Sequence, residues 1–162
     1  MLATISLRAL RSDDREVIAG LLARAGNFNA AEQAVGCELV EHALANPGQT
    51  DYLFAIAEDD GLAVGYACWG LASMSDGSWE LYWIAVDPAC RGRGVGRILV
   101  EHCEAEVRKA RGRSLVAETS SRPGYEGTLA FYKKLDYEVL GRIRDFYVAG
   151  DDKVILGKYF PL

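Results

Sequence analysis

The hexapeptide Arg91-Gly92-Arg93-Gly94-Val95-Gly96 lies between two stretches whose apolar residues follow different periods. Residues 79–86, before it, form an apolar run with β-branched residues that is typical of a strand, and the residues after it repeat with helical spacing. A glycine-rich turn between a strand and a helix lets several backbone N–H groups converge on one point. The helix N-terminus adds about half a positive charge there. This stretch therefore predicts a phosphate site, and its two arginines with Arg97 favour a pyrophosphate.

The sequence on either side of the hexapeptide predicts a mixed sheet. Strand patterns cover residues 52–58, 62–74 and 79–86, and the turns Asp59-Asp60-Gly61 and Ser75-Asp76-Gly77-Ser78 separate them. Strands joined by such short turns form an antiparallel meander. The helix after the hexapeptide leads to a strand over residues 114–119, which predicts a right-handed parallel crossover. An alternating stretch around Ile5 and Leu7 and two final strands, over residues 137–143 and 153–160 around the turn 150–152, complete about seven strands.

Three further helices are predicted. Asp13 followed by Glu16 is a capping-box arrangement that predicts the start of a helix ending at Gly26. A second helix is expected to begin near Asn29 and to end at residues 46–48, and a third covers residues 126–134. The predicted fold class is therefore α/β (α+β), with a mixed, mostly antiparallel sheet, one parallel crossover and helices on both faces.

Composition limits the classes of protein that remain. The 162 residues, half of them apolar, suit a single domain over residues 1–162. No apolar stretch is long enough to cross a bilayer and the N-terminus lacks the features of a signal peptide, so we expect a cytoplasmic protein. The net charge of −5 argues against nucleic acid as a partner. The four cysteines have no C-x-x-C spacing and the two histidines lie outside any ligand cluster, so neither a metal site nor a disulfide is expected.

Two other interpretations of the glycine turn remain open from the residues alone. Gly92 and Gly94 fit the first half of a dinucleotide-binding G-x-G-x-x-G pattern, and Glu118 lies where a ribose ligand would be expected. Arg97 occupies the third glycine position, however, and an antiparallel meander precedes the motif. The second interpretation is a tight turn with no ligand, because glycines occur in such turns generally.

The motif and its surroundings resemble the GNAT superfamily of acyl-CoA-dependent N-acyltransferases. Arg91-x-x-Gly94-x-Gly96 is similar to the family's pyrophosphate loop, and Ile84-Ala85-Val86-Asp87-Pro88 is similar to the end of its fourth strand. The block Ala130-Phe131-Tyr132-Lys133-Lys134-Leu135-Asp136-Tyr137 resembles the family's A-x-F-Y-x-x-x-G-F sequence, although Asp136 stands where glycine is usual and Tyr137 where phenylalanine is usual. The order of elements also agrees, so the resemblance covers nearly the whole chain.

The resemblance implies an N-acetyltransferase that moves an acetyl group from acetyl-CoA to a primary amine by direct attack, with no metal. It implies that the loop amides bind the coenzyme A pyrophosphate and that the pantetheine arm lies along β-strand residues, which gives this set of cofactor-binding residues: Ile84, Ala85, Val86, Arg91, Gly92, Arg93, Gly94, Val95 and Gly96. Tyr132 matches the family's general acid. Glu80 or Glu118 is the candidate general base, with Glu80 slightly favoured.

The same resemblance leaves the acceptor undefined. A small molecule or a peptide could supply the amine, and the sheet edge at the C-terminus allows pairing in a homodimer. The competing class is a non-catalytic sensor that binds an acyl-CoA, and a dinucleotide-binding protein is a weaker third choice. The pair of Tyr132 and a nearby glutamate favours the enzyme, since a sensor does not need them.

Overall fold

This computed structural model describes residues 4–161 of the chain, which form both strands and helices. The seven strands in this part are β1 (Ser6–Arg8), β2 (Leu53–Asp59), β3 (Leu62–Leu71), β4 (Ser78–Val86), β5 (Ser114–Ser120), β6 (Glu138–Val148) and β7 (Asp151–Tyr159). The four α-helices are α1 (Asp14–Ala25), α2 (Ala30–Ala45), α3 (Val95–Lys109) and α4 (Glu126–Lys134). A single turn of 3₁₀-helix, Pro88–Cys90, joins β4 to the residues that precede α3.

The strands form one mixed sheet in the order β1-β2-β3-β4-β5-β7-β6. Antiparallel registers join β1 to β2, β2 to β3, β5 to β7 and β7 to β6. The parallel register joins β4 to β5, from Ser78 opposite Ser114 to Leu81 opposite Ala117. The predicted fold class, a mostly antiparallel sheet with one parallel crossover, is confirmed.

The described residues group into two compact units. The first unit contains those of Met1–Gly70 and Trp83–Cys103, and the second contains those of Leu71–Tyr82 and Glu104–Leu162. The single domain expected over residues 1–162 stays a prediction.

Helices cover both faces of the sheet within the first unit. A methyl group on Gly65 of β3 would lie 3.1 Å from Val95 Cγ1 at the start of α3, so α3 packs on that face. Tyr66, the next residue of β3, points to the other face, where Cys37 of α2 lies close enough to contribute to the raised pKa of its hydroxyl. There a methyl group on Gly36 of α2 would lie only 1.9 Å from Trp83 Nε1. Helix α2 therefore packs so close to β4 that only glycine fits at position 36.

The start of α1 differs from the predicted capping box. Asp13 occupies the N-cap position but makes no side-chain cap hydrogen bond. Instead Asp14, which is 1% exposed, accepts hydrogen bonds from Arg8 Nη1 and Nη2 at 2.7 and 2.8 Å and from the Arg11 N–H at 2.7 Å. Arg8 also bonds Glu58 Oε1 of β2. A buried charge network between β1, β2 and α1 thus stabilises the start of α1, in place of the capping box predicted from Asp13 and Glu16.

Helix α2 begins where the sequence predicts. Asn29 Oδ1 accepts the Glu32 N–H at 2.9 Å, and the Glu32 carboxylate accepts the Asn29 N–H at 2.7 Å. Both halves of a capping box are therefore formed. The helix ends at Ala45, directly before the Asn46-Pro47-Gly48 stretch that was expected to stop it.

The network at Asp14 predicts a loss of stability in acid. Burial disfavours the charged carboxylate, but the hydrogen bonds of Arg8 and of the Arg11 N–H and the charge of Arg8 outweigh it, so the pKa of Asp14 lies below its usual range. A lowered folded-state pKa stabilises the protein above the unfolded-state pKa, about 3.9, and this contribution disappears as the pH falls through the folded value. We expect the urea midpoint to drop steeply below about pH 4.

The variant Asp14→Asn isolates this effect. It should unfold more easily by about 3 kcal/mol at neutral pH, because Arg8 loses a buried partner, and its remaining stability should depend less on acid. The matched control is Glu38→Gln on the exposed face of α2, which should behave like the unaltered protein. Urea titrations from pH 7 to 2 measure both, and an unchanged acid dependence in Asp14→Asn would contradict the assignment.

The last hairpin is longer than the sequence pattern indicates. Strand β6 continues to Val148 and β7 already begins at Asp151, with a register shift between Ile143 and Val148. Asp145, at φ 53°, closes this bulge: its N–H donates to Asp152 Oδ1 at 2.8 Å and its Oδ1 accepts the Gly150 N–H at 2.7 Å. The extra residues of a bulge break the alternation on which the prediction depended.

The four cysteines, all within the described residues, form no disulfide. Cys68, Cys90 and Cys103 are buried, and Cys37 is partly exposed. Among the described helices, none combines the length and the apolar character that crossing a bilayer requires.

Candidate active site

The glycine loop adopts a backbone that only glycine tolerates well. Gly92 and Gly94 have φ angles of 78° and 82°, in the left-handed region, where other residues pay about 1–2 kcal/mol. Apart from their chain neighbours, no atom of residues 4–161 lies within 4 Å of the position that a Cβ would take at either residue. The loop backbone is therefore open to the approach of a ligand.

The backbone N–H groups at the start of α3 are available to that ligand. The N–H groups of Arg91 and Arg93 bond within the turn, to Pro88 O and Cys90 O at 3.3 Å each, and the Ile98 N–H bonds Gly94 O at 3.0 Å. Over the described residues 4–161, the N–H groups of Gly94, Val95 and Gly96 have no acceptor. Unpaired N–H groups at a helix N-terminus, together with the helix dipole, form an anion site.

The side chains of the two loop arginines are held by protein groups of the first unit. Arg91 Nη2 donates to the main-chain oxygen of Ala25 at 2.5 Å, and Arg93 Nη1 lies 2.6 Å from Asp59 Oδ2. Most of the other basic side chains in this part of the sequence are also in ion pairs: Arg97 with Glu101, Arg108 with Glu104, Lys109 with Glu106 and Arg113 with Asp76. The anion site thus depends mainly on backbone N–H groups, and the arginine side chains shape the loop.

Residues Ile84, Ala85 and Val86 form the end of β4. They follow Leu81, the last β4 residue in the parallel register with β5. Ala85 is 4% exposed, whereas Ile84 and Val86 are half-buried. The following residue, Asp87, ends the strand as predicted, and its Oδ1 accepts the Ala89 N–H of the 3₁₀ turn at 2.9 Å.

Tyr132 lies on α4 in the second unit and is 4% exposed. Its ring packs between two neighbours, with centroid distances of 5.2 Å to Phe131 and 5.3 Å to Tyr137. Asp136, at the position where the family usually has glycine, adopts φ 65°, in the left-handed region. Aspartate is among the residues that tolerate this region best after glycine.

The two candidate bases lie on one face of neighbouring strands in the second unit. Glu80 of β4 is opposite Val116 of β5, and Glu118 is two residues farther along β5. Because opposite residues and residues two apart point to the same face, both carboxylates project from the same side. Within residues 4–161, Glu80 makes no ion pair, whereas Glu118 Oε2 lies 2.7 Å from Lys153 Nζ.

Lys153 is the residue that sequence reasoning missed. It lies on β7, is 14% exposed at its side chain and places Nζ 3.8 Å from the ring centroid of Phe146. This cation–π contact and the ion pair together hold Glu118. Lys153 is 35 residues from Glu118 in sequence, and no local pattern links the two.

The three tryptophans pack against neighbours in their own units. Trp83 stacks on Phe28 at 5.7 Å, and Trp69 contacts the edge of His102 at 5.7 Å. A methyl group on Gly112 would lie 2.7 Å from Trp79 Nε1. Among the described residues, no group of three or more His, Cys, Asp or Glu side chains could hold a metal ion.

Comparison with known proteins gives the class to which this fold and loop belong. The acetyltransferase (GNAT) domain family matches residues 50–139. A crystal structure from Desulfovibrio desulfuricans, described as an acetyltransferase of the GNAT family, is 33% identical, with a TM-score of 0.92 over 96% of this chain and 99% of that one. No curated protein sequence matches the chain. The chain therefore belongs to the GNAT acetyltransferase family.

Two more distant structures share the fold. The ribosomal-protein-S18-alanine N-acetyltransferase of Escherichia coli is 22% identical, with a TM-score of 0.76 over 98% of this chain and 96% of that one. An aminoglycoside 6'-N-acetyltransferase complexed with coenzyme A is 19% identical, with a TM-score of 0.75 over 97% and 98% of the two chains. GNAT enzymes use acetyl-CoA, and these two differ widely in the acceptor that their names give.

Proposed function

We propose that this GNAT enzyme transfers an acetyl group from acetyl-CoA to a primary amine by direct attack of the amine on the thioester. The observation that carries the proposal is the loop before α3, where two left-handed glycines expose N–H groups that lack an acceptor in the described chain. A pyrophosphate is the group that such a loop suits, because it carries two negative charges close together.

The residues fit coenzyme A in two respects. Gly94, Val95 and Gly96 would bind the pyrophosphate through their N–H groups, and the space at Gly92 and Gly94 admits it. Ile84, Ala85 and Val86 continue β4 beyond its parallel register, so their backbone would bind the pantetheine arm as an added strand. A backbone N–H of the same stretch would stabilise the negative charge that develops on the thioester oxygen.

Two side chains would move the protons. An alkylamine has a pKa of about 10.4 and arrives charged, so Glu80, directly or through a water molecule, would take the proton that blocks its attack. As the C–N bond forms and the C–S bond breaks, Tyr132 would give its proton to the leaving sulfur. A phenol with a pKa of about 10 is protonated at neutral pH, as this role requires. The charged amine loses two protons as it becomes an amide. Glu80 would pass the first to solvent, and the second, released when the C–N bond forms, would return Tyr132 to its neutral form. One proton is therefore released overall, and the other ends on the thiol of coenzyme A.

Glu80 is the better candidate base because its carboxylate makes no ion pair in the described chain. Glu118 would first have to break its contact with Lys153 before it could accept a proton. Glu80→Gln is therefore expected to lower kcat/KM about tenfold at neutral pH. The loss should shrink as the pH rises, because more of the amine is then neutral without help.

The matched variant for this comparison is Glu118→Gln. We expect it to retain most of the activity and its normal pH profile, and pH–rate profiles of the three proteins measure the difference. If Glu118→Gln shows the pH-dependent loss and Glu80→Gln does not, the roles of the two glutamates are reversed.

Release of coenzyme A thiol from acetyl-CoA in the presence of a panel of amines tests the function as a whole. The panel should contain a peptide with a free N-terminus, a lysine side chain, a polyamine, an aminoglycoside and an amino acid. Amine-dependent thiol release supports the enzyme, and intersecting initial-rate patterns support direct attack, whereas a ping-pong pattern contradicts it. If coenzyme A raises the melting temperature but no amine releases thiol, the chain is a sensor.

A further inference from the structure

Two arginines connect the end of α1 with the residues that lead into the glycine loop. Arg24, in the last turn of α1, places Nη2 2.9 Å from Asp87 Oδ2 at the end of β4. In the opposite direction, Arg91 of the loop donates from Nη2 to the main-chain oxygen of Ala25. Each segment thus supplies one arginine to the other, and all four residues belong to the first unit. We call these two contacts the α1–loop clamp.

Both ends of the clamp are attached to rigid structure. Asp87 bonds the Ala89 N–H with its other carboxylate oxygen, and its own N–H donates to Val64 O of β3. Ala25 is the last residue of α1, where main-chain oxygens lack helical partners and a cation is favourable. The clamp therefore joins the strand side of the loop to a helix end, and the 54% exposed side chain of Arg24 meets the more buried carboxylate of Asp87.

The clamp also fixes where the chain leaves α1. Gly26, at φ 79°, ends the helix, and only residues 27–28 separate it from Asn29, the N-cap of α2. Within this connection, Phe28 stacks on Trp83 with an interplanar angle of 22°. Trp83 directly precedes Ile84, the first of the β4 residues assigned to the acyl arm. The connection 26–29 thus packs through Phe28 on the residue that precedes the proposed donor strand, and the residue just before the connection, Ala25, accepts the hydrogen bond of the loop residue Arg91.

We propose that the α1–loop clamp couples donor binding to the conformation of the connection 26–29, with Arg24 and Arg91 as positioning residues. A ligand that holds the glycine loop in place also holds Ala25 and the residues after it. Coupling of this kind is reciprocal. The factor by which the bound donor favours the ordered connection is also the factor by which the ordered connection strengthens donor binding. The role of the ligand rests on the proposed function, but the clamp itself is present in the free protein.

Hydrogen exchange of the free protein tests the clamp without any ligand. Arg24→Gln should speed amide exchange on both sides, at residues 26–28 and at residues 89–94. The matched control is Arg15→Gln, which removes an exposed ion pair of the same helix, with Glu41, and should leave both segments unchanged. Faster exchange on the α1 side alone would show that the contacts transmit nothing and would overturn the proposal.

Coenzyme A then tests the coupling. In the unaltered protein, coenzyme A should slow amide exchange both in the loop and at residues 26–28. In Arg24→Gln, it should still slow exchange in the loop but no longer at residues 26–28. Its affinity for coenzyme A should fall about fivefold, and Asp87→Asn should add little to that loss in the double variant. An intact response at residues 26–28 in Arg24→Gln overturns the coupling. Failure of coenzyme A to protect the loop in any variant instead contradicts the proposed function.

Discussion

Replacing Tyr132 by phenylalanine is expected to lower kcat about 10²- to 10³-fold while KM for acetyl-CoA changes little. The variant removes one hydroxyl and keeps the ring, whose packing against Phe131 and Tyr137 holds this part of α4. The leaving thiolate then departs without a proton donor, so the loss falls on the chemical step. Steady-state kinetics with the amine found in the thiol-release screen measure it.

Tyr137→Phe is the matched control for this prediction. Tyr137 is 2% exposed and belongs to the same ring cluster, so its variant removes the same chemical group a few ångströms away. We expect its kcat to stay within about threefold of the unaltered enzyme, because it takes no part in proton transfer. Equal losses in both variants would mean that the cluster acts through packing. Unchanged turnover in Tyr132→Phe would remove this residue from the catalytic role.

The double variant Gly92→Ala/Gly94→Ala is expected to weaken coenzyme A binding roughly 30- to 1,000-fold. Both residues have positive φ, where alanine costs about 1–2 kcal/mol each. Restoring the loop conformation on binding therefore reduces the binding free energy by about 2–4 kcal/mol. Beyond its chain neighbours, a Cβ at either position meets no atom of the described chain within 4 Å, so the effect comes from the backbone conformation and not from a clash. Calorimetric titration with coenzyme A measures the change.

Two glycines outside the loop provide the control for backbone strain. Gly48 and Gly150 have φ angles of 87° and 84°, and among the described residues a Cβ at either would also meet no atom within 4 Å other than those of its chain neighbours. The double variant Gly48→Ala/Gly150→Ala should therefore lose a similar free energy of unfolding while it binds coenzyme A normally. If it binds as weakly as the loop variant, general destabilisation explains both results. Unchanged binding in the loop variant would contradict the pyrophosphate assignment.

The sequence predicts local elements well where a single physical signal defines each end. Helix α4 covers Glu126–Lys134 as expected, and the turn after β2 has positive φ at Asp60 and Gly61, as its Asp-Asp-Gly sequence indicates. The prediction is wrong where a distant residue competes with a local pattern. At α1, Arg8 draws Asp14 into a buried network and the capping box at Asp13 does not form.

The candidate site likewise has features that could be predicted from the sequence and features that could not. The glycine loop and the start of α3 follow from residues that are adjacent in sequence, so they can be predicted from it. The partners of the charged side chains cannot, because the tertiary fold sets them: the loop residue Arg93 meets Asp59 across 34 positions, and Glu118 meets Lys153 across the β5–β7 pairing. The sequence predicts basic side chains beside the phosphate, whereas in the structure most of these side chains form ion pairs with acidic ones.

The burial of the thiols has a practical consequence for measuring this enzyme. Cys68 and Cys103 are fully buried and Cys90 is 8% exposed, so disulfide reagents reach them poorly. Burial and the nearby Glu41 also raise the pKa of the partly exposed Cys37, which lowers its reactive thiolate fraction at neutral pH. A chromogenic disulfide added to the assay should therefore report the thiol of released coenzyme A with little background from the folded protein. Colour that develops slowly without substrate would then measure the rate at which the protein unfolds and exposes its buried cysteines.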